Sequence, residues 1–236
     1  MSRQLALNLK LRDGSSFDNF FAARNREAMH SVATAAATAA TSSGKLTTVF
    51  LWGEPGSGKT HLLEAACRAT QADGLSPAYV SLMEARTLSV DLLEGLEQAQ
   101  LVALDDVQSI VGVAAWEAAI FSLYEGLRAR GGVLLATARS NPASLGLHLP
   151  DLATRLAADL VYQLHLLADE DKVTALCQRA AHRGLQLAPE VARYVLARYP
   201  RDLHALFRLL DRIDHASLAA QRRITIPFVR SLADDT

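Results

Sequence analysis

The sequence predicts an α/β domain built on a parallel β-sheet flanked by helices, followed by a small all-helical domain. Three observations predict it. Short apolar runs recur between residues 47 and 166 with helical or loop segments between them, a glycine-rich turn joins the first run to a helical pattern, and from about Asp169 the strand-like runs nearly stop. Apolar runs that alternate with helices belong to parallel sheets, because the helical crossovers cover both faces and leave no polar side.

The elements follow in order. The chain opens with QLALNL at 4–9, where Leu5, Leu7 and Leu9 alternate with Ala6 and Asn8. Taken alone, that spacing reads as an edge strand or a frayed terminus. DGSS at 13–16 reads as a turn-forming linker, and the stretch from Phe17 carries good helix formers up to SSGK at 42–45. The apolar runs are TTVFLW (47–52), PAYVSL (77–82), LVALD (101–105), VLLAT (133–137) and DLVYQLHL (159–166). Beyond them DEDKVTALCQRAAHRG, PEVARYVLARYP and RDLHALFRLLDRIDHASLAAQRR show helical apolar spacing, with Gly184 and Pro200 as stop signals. ITIPFVRSLADD adds a short extended piece and a helix begun by Pro227. These patterns divide the chain into a tail and linker (1–16), an α/β domain (17–167) and an all-helical domain (168–236).

Composition narrows the function class. The 24 Lys and Arg against 25 Asp and Glu give a net charge of −1, so no global basic field marks a stand-alone nucleic-acid binder. Cys67 and Cys177 are far apart and lack metal-ligand spacing, which fits small apolar packing in a reducing cytoplasm rather than a disulfide or zinc framework. No run of 18 uncharged apolar residues exists, and Asn8, Lys10 and Arg12 interrupt the opening leucines, so a cytoplasmic protein with no membrane partner is expected.

GEPGSGKT, from Gly53 through Glu54, Pro55, Gly56, Ser57, Gly58 and Lys59 to Thr60, fits GxxxxGK[ST] and stands between a predicted strand and a predicted helix. With glycine near 7% of residues, a chance match in a chain of this length has odds of about 1 in 100. Glycines let successive backbone N–H groups turn inward around phosphate oxygens, and the helix N-terminus adds partial positive charge. Lys59 is then expected to reach the outer phosphates, and the Thr60 hydroxyl to ligate Mg²⁺. The metal also needs an acid, and Asp105 with Asp106 at the end of LVALDD supplies one for the Mg²⁺ shell and one to orient water. His61, directly after Thr60, is expected at the rim of the pocket. Trp116, Phe121 and Tyr124 have helical spacing and are expected in the core.

With these residues on the page, FDNFFAARNREA, GEPGSGKTHLLEAA and LVALDDVQSI resemble the AAA+ core of the bacterial replication initiator DnaA. QLALNL, WEAAIFSLYEGLRARGG, LHLPDLATRLA, LADEDKVTAL and LDRIDHASLAAQRRITIPFVRSL look closer still to the Hda family of DnaA-related regulators, over nearly the whole chain. The resemblance implies an AAA+ P-loop core with a helical C-terminal lid. It also implies a hexapeptide (Gln4, Leu5, Leu7, Leu9) that docks on the DNA polymerase sliding clamp, and bound ADP or ATP with Mg²⁺. Arg155 in PDLATRLA matches the family's arginine finger, given in trans to DnaA-bound ATP, because a planar permanent cation pairs with charge spread over the γ-phosphate oxygens. DNA is reached only through the clamp, and a homo-oligomer is left open. An initiator's basic helix-turn-helix domain is not expected, since the chain ends on ADDT.

Two positions depart from the family. Arg139 stands where the sensor-1 segment usually has Asp, with Thr137 nearby, and His204 stands where the sensor-2 helix usually has Arg. Imidazole is shorter and cannot form a bidentate fork. Arg201, His204, Arg208, Asp211 and His215 form a polar stripe, so either Arg201 or Arg208 replaces the guanidinium or the stripe is solvated. Phe17, Phe20 and Phe21 either flank an adenine or anchor the first helix. The altered sensors and the clamp-type tail favour a regulator with weak or no ATPase activity of its own; the alternative is a self-sufficient AAA+ ATPase of the helicase-loader or remodeler type.

Overall fold

A computed structural model describes residues 14–41, 44–220 and 222–234. The chain divides into two compact units, Met1–His165 and Leu166–Thr236. The first unit carries helix α1 (Arg26–Thr38), strand β1 (Thr47–Trp52), helix α2 (Lys59–Ala72), and strands β2 (Pro77–Ser81) and β3 (Leu101–Asp105). Helix α3 (Ala114–Arg130), strand β4 (Val133–Ala138), helix α4 (Pro150–Leu156) and strand β5 (Leu160–Gln163) complete it. Each strand falls within one of the apolar runs, except that β4 extends one residue beyond VLLAT, to Ala138.

All pairings are parallel and the strand order is β2-β3-β4-β1-β5. In register, Thr47 faces Val133, Leu101 faces both Val133 and Pro77, and Val49 faces Leu160. The pleat sorts the side chains by a period of two. Phe50, Val102, Leu104, Leu134 and Ala136 enter one core with α3 and α4, while Val49, Leu51, Leu101, Ala103, Val133 and Leu135 enter another with α1 and α2. Both faces of the inner strands β1, β3 and β4 are therefore covered, which explains why these strands read as continuous apolar runs. A parallel sheet also brings the carboxyl ends of all five strands to one edge, where ligands of open α/β sheets bind.

Trp116 and Tyr124 are core residues and Phe121 packs beside them, as their spacing predicts. Cys67 is buried among the α2 side chains and Cys177 packs partly buried in the second unit.

One element begins later than its composition suggests. The helix expected from Phe17 starts only at Arg26, after a single 3-10 turn at Ala23–Asn25. Residues 15–19 are drawn into local turns instead, where the Asn19 side chain accepts from the Ser16 N–H at 3.1 Å and donates to the Gly14 carbonyl. Ser and Asn side chains compete in this way with helical hydrogen bonds.

The second unit holds α5 (Asp169–His182), α6 (Pro189–Arg198), α7 (Leu203–Ala220) and α8 (Ile226–Asp234) around its own core of Leu176, Leu196, Leu206, Leu210, Ile213 and Val229. Asp169, Glu170 and Asp171 in the first turn of α5 complement its helix dipole. Pro189 stands in the first turn of α6, where its missing N–H costs nothing. No helix among the described residues is long and apolar enough to cross a membrane.

Candidate nucleotide site

The loop between β1 and α2 turns on three positive-φ glycines, Gly53, Gly56 and Gly58. Gly53 has φ of 150°, and a Cβ there would stand 2.3 Å from the Leu164 carbonyl oxygen. Gly58 has φ of 97°, and a Cβ there would stand 2.6 Å from the Phe20 ring. Neither position tolerates a side chain, so both glycines are required by conformation and by close approach. Lys59 opens α2 with its ammonium folded back over the loop, donating to the Gly53 carbonyl at 2.7 Å and the Glu54 carbonyl at 3.0 Å. Burial pushes its pKa down, Asp106 and Asp105 pull it up, and the charge of Arg139 pushes it down again; the net shift is downward. The Ser57 hydroxyl is buried with no hydrogen-bond partner among the described residues. A desolvated cation and an unpartnered hydroxyl at the mouth of a helix fit an anionic ligand.

The acids sit at the same sheet edge. Asp105 ends β3 and is 3% exposed. The Thr60 hydroxyl donates to its Oδ2 at 2.7 Å, the Tyr79 hydroxyl donates to the same oxygen at 2.8 Å, and the Thr137 hydroxyl donates to Oδ1. Thr60 is 45 residues from Asp105 in sequence, and the parallel topology makes them neighbours. Burial first, and then the charge and hydrogen bond of Asp105, raise the Tyr79 pKa far above its ordinary value, so the phenol stays a donor.

Asp106 follows in the left-handed region at φ of 63°, a conformation that favours Asn and Asp among non-glycine residues. Its N–H donates to Thr137 Oγ1 at 3.0 Å, and its Oδ1 accepts from Gln108 Nε2 at 2.7 Å. Gln108 Oε1 in turn accepts the N–H of Arg139 at 3.1 Å. The sensor-1 departure therefore puts an exposed cation at this edge, while the buried hydroxyl of Thr137 makes the contact to the acid pair.

His61, the third residue of α2, is partly buried. Its Nε2 lies 2.9 Å from the Ser16 carbonyl oxygen, and its ring is 5.4 Å from that of Phe20. Next to it, the Ser15 hydroxyl donates to the buried Glu64 carboxylate at 2.7 Å. Ser15 and Ser16, at the end of the stretch read as a linker, are thus each hydrogen-bonded to a side chain of α2. The anchoring reading also holds for Phe17 and Phe20, which pack on the core beneath α1 and α2.

Arg155 lies elsewhere on the first unit. It is in the last turn of α4, its Nε is 3.2 Å from Glu125 Oε1 on α3, and its guanidinium stands 6.0 Å above the Tyr124 ring. Its side chain is 38% exposed, and the partners seen are Glu125 and Tyr124 rather than any residue of the phosphate loop. In the second unit Arg201 is paired with Asp169 at 3.1 Å, and Asp211 is paired with Arg183. Two of the stripe's charges are thus committed within their own unit. The His204 side chain and the hexapeptide residues Gln4, Leu5, Leu7 and Leu9 lie outside what is described.

Tyr79 and Gln108 escaped the sequence reading. Tyr79 is one aromatic among apolar residues of β2, and nothing in its own stretch says that β2 will pair with β3 in the register that sets Ser81 against Asp105.

The family model of the bacterial DnaA ATPase domain matches residues 11–163, and that of the Hda lid domain matches residues 169–232. An uncharacterised protein of Haemophilus influenzae (strain ATCC 51907 / DSM 11121 / KW20 / Rd) is 40% identical over 233 residues, 98% of this chain and 99% of that protein. Domain III of the Thermotoga maritima replication initiation protein DnaA superposes with a TM-score of 0.72 at 20% identity, over 94% of this chain and 96% of that one. A replication initiator DnaA bound to AMPPCP and single-stranded DNA gives a TM-score of 0.72 at 22% identity, over 87% of this chain and 66% of that one. With an AAA+ sheet order, a DnaA-type ATPase domain over most of its length and an Hda-type lid after it, the chain belongs to the DnaA family as an Hda-like homologue.

Proposed function

We propose that the protein is a nucleotide-bound regulator of replication initiation that stimulates hydrolysis of DnaA-bound ATP through Arg155. The observation that carries this reading is the position of Arg155. Its guanidinium is steadied by Glu125 and Tyr124 on a partly exposed helix face, so it is available to a nucleotide on another subunit. A fixed cation placed where charge develops stabilises phosphoryl transfer without reorganisation at the moment of reaction.

The chain's own site fits an adenine nucleotide, ADP in this reading, with Mg²⁺. Gly53 to Gly58 and the Ser57 hydroxyl would hold phosphate oxygens, and Lys59 would exchange carbonyl partners for them. Thr60 and Asp105 are hard oxygen donors of the kind Mg²⁺ takes. The cation would supply charge neutralisation at the phosphates. Asp106, whose Oδ1 accepts from Gln108, would be the second acid and would orient water. Gln4, Leu5, Leu7 and Leu9 dock on the sliding clamp and raise the local concentration of Arg155 near the initiator.

A second reading, a self-sufficient AAA+ ATPase, is supported by one observation: Lys59 folds back over the loop and the Thr60 hydroxyl donates to Asp105, with Asp106 beside it. The two readings separate in one experiment. DnaA–ATP, clamp loaded on DNA and this protein are mixed, and conversion to ADP is followed. The regulator reading expects stimulation that needs the clamp, with turnover below about 1 s⁻¹ when the protein is alone. Faster turnover without DnaA selects the second reading, and no stimulation in the full mixture sinks the first.

A further inference from the structure

Three hydroxyls from three elements close on one buried carboxylate. Thr60 on α2 and Tyr79 on β2 both donate to Asp105 Oδ2, at 2.7 and 2.8 Å, and Thr137 on β4 donates to Oδ1. Their duties differ. Thr137 Oγ1 also accepts the N–H of Asp106 at 3.0 Å. Thr60 is the hydroxyl that a phosphate loop lends to the cation, so its bond to Asp105 is the one that metal binding competes for. Among the described residues, the hydrogen bond seen for the Tyr79 hydroxyl is the one to Asp105. Its ring packs against the core beneath α2, and β2 is tied to β3 along its length, Tyr79 opposite Ala103 and Ser81 opposite Asp105. The donor is therefore held by the sheet itself.

We propose that Tyr79 is a positioning residue of the metal site: its hydroxyl fixes Asp105 Oδ2 when Thr60 turns to Mg²⁺. A buried carboxylate needs donors to hold it in one orientation, and one that loses its last permanent donor on an oxygen becomes a poorer cation ligand. Tyr79 supplies that donor from outside the phosphate loop. The proposal rests on the nucleotide-binding reading of the site.

The test compares ADP affinity in excess Mg²⁺ and in EDTA, by calorimetry on the full chain, for the wild type, Tyr79→Phe, Asp105→Asn and the double variant. Tyr79→Phe keeps the ring and removes the hydroxyl. The expected result is that the Mg²⁺-dependent gain in affinity shrinks about tenfold. Affinity in EDTA stays as in the wild type, which also certifies the fold, and Tyr79→Phe has no further effect in the Asp105→Asn background. Equal loss in both buffers, no loss in either, or the same loss with Asn at 105 overturns the assignment. A wild type whose ADP affinity ignores Mg²⁺ overturns it as well. A wild type that binds no ADP in either buffer instead removes the nucleotide reading beneath it, an outcome none of the others can imitate.

Discussion

Glu117 is a carboxylate with almost no access to water. Burial alone pushes a carboxyl's pKa up, but the N–H groups of Gly112, Leu149 and His148, with the charge of His148, hold it below its ordinary value of 4.5. The carboxylate accepts from Gly112 at 2.9 Å and from Leu149 at 2.7 Å, and so ties the loop before α3 to the start of α4. Because the folded pKa is depressed, this stability is fully present above the unfolded value and is lost as pH falls through the folded one. Glu117→Gln turns an N–H donor against backbone donors and is expected to cost about 1–3 kcal/mol at neutral pH. It should also flatten the acid limb of a stability–pH curve below pH 4.5. Urea titrations from pH 3 to pH 7, roughly the span over which carboxylates titrate, check both. Gly53→Ala forces a Cβ against the Leu164 carbonyl and is expected to cost about 1–3 kcal/mol in strain. ADP titration should show binding lost as well. For Cys67, burial and the charge of Glu64 push the thiol up to about 12. It is expected to react with a thiol reagent only as fast as the unit opens, which is read from labelling rates with and without denaturant.

At the scale of elements, the inner strands β1, β3 and β4 were legible because burial on both faces favours apolar residues at successive positions, while the edge strands β2 and β5 are only partly buried and left a weaker signal in the sequence. The phosphate loop was legible for another reason: its spacing is local. The start of α1 was not, because Ser16 and Asn19 take turn hydrogen bonds and Phe17 and Phe20 face the core, and neither event is written in helix propensity. Tyr79 and Gln108 were hidden for a third reason. Tyr79 joins Asp105 only after β2 and β3 pair, and Gln108 joins Arg139 only after β3 and β4 pair, and pairing partners are not encoded within a strand. Two elements make further predictions. Ser15→Ala removes the hydroxyl donor of the buried Glu64 and is expected to cost about 1–3 kcal/mol, with residues 14–20 becoming more open to proteolysis. The partly exposed pair of Glu125 and Arg155 is worth at most about 1 kcal/mol. Glu125→Ala should therefore leave the melting temperature nearly unchanged, yet reduce stimulation of DnaA by freeing the Arg155 side chain.

At the scale of the whole molecule, the proposed function divides into two jobs. The carboxyl edge of the sheet gathers Lys59, Thr60, Asp105 and Asp106, the residues proposed to hold a nucleotide, while Arg155 stands on α4 with Glu125 and Tyr124 as its partners. A regulator needs both: a bound nucleotide to set its state and a cation to give away. An ATPase acting alone needs the first, plus a sensor that Arg139 does not replace in kind. The measurement that tests this division most directly is the rate at which DnaA-bound ATP becomes ADP in the presence of clamp-loaded DNA, compared between wild type and Arg155→Ala. The account predicts that Arg155→Ala binds ADP as the wild type does and that its stimulation falls at least about a thousandfold, the lower end of what an arginine finger supplies. An Arg155→Ala protein that stimulates as well as the wild type would contradict it.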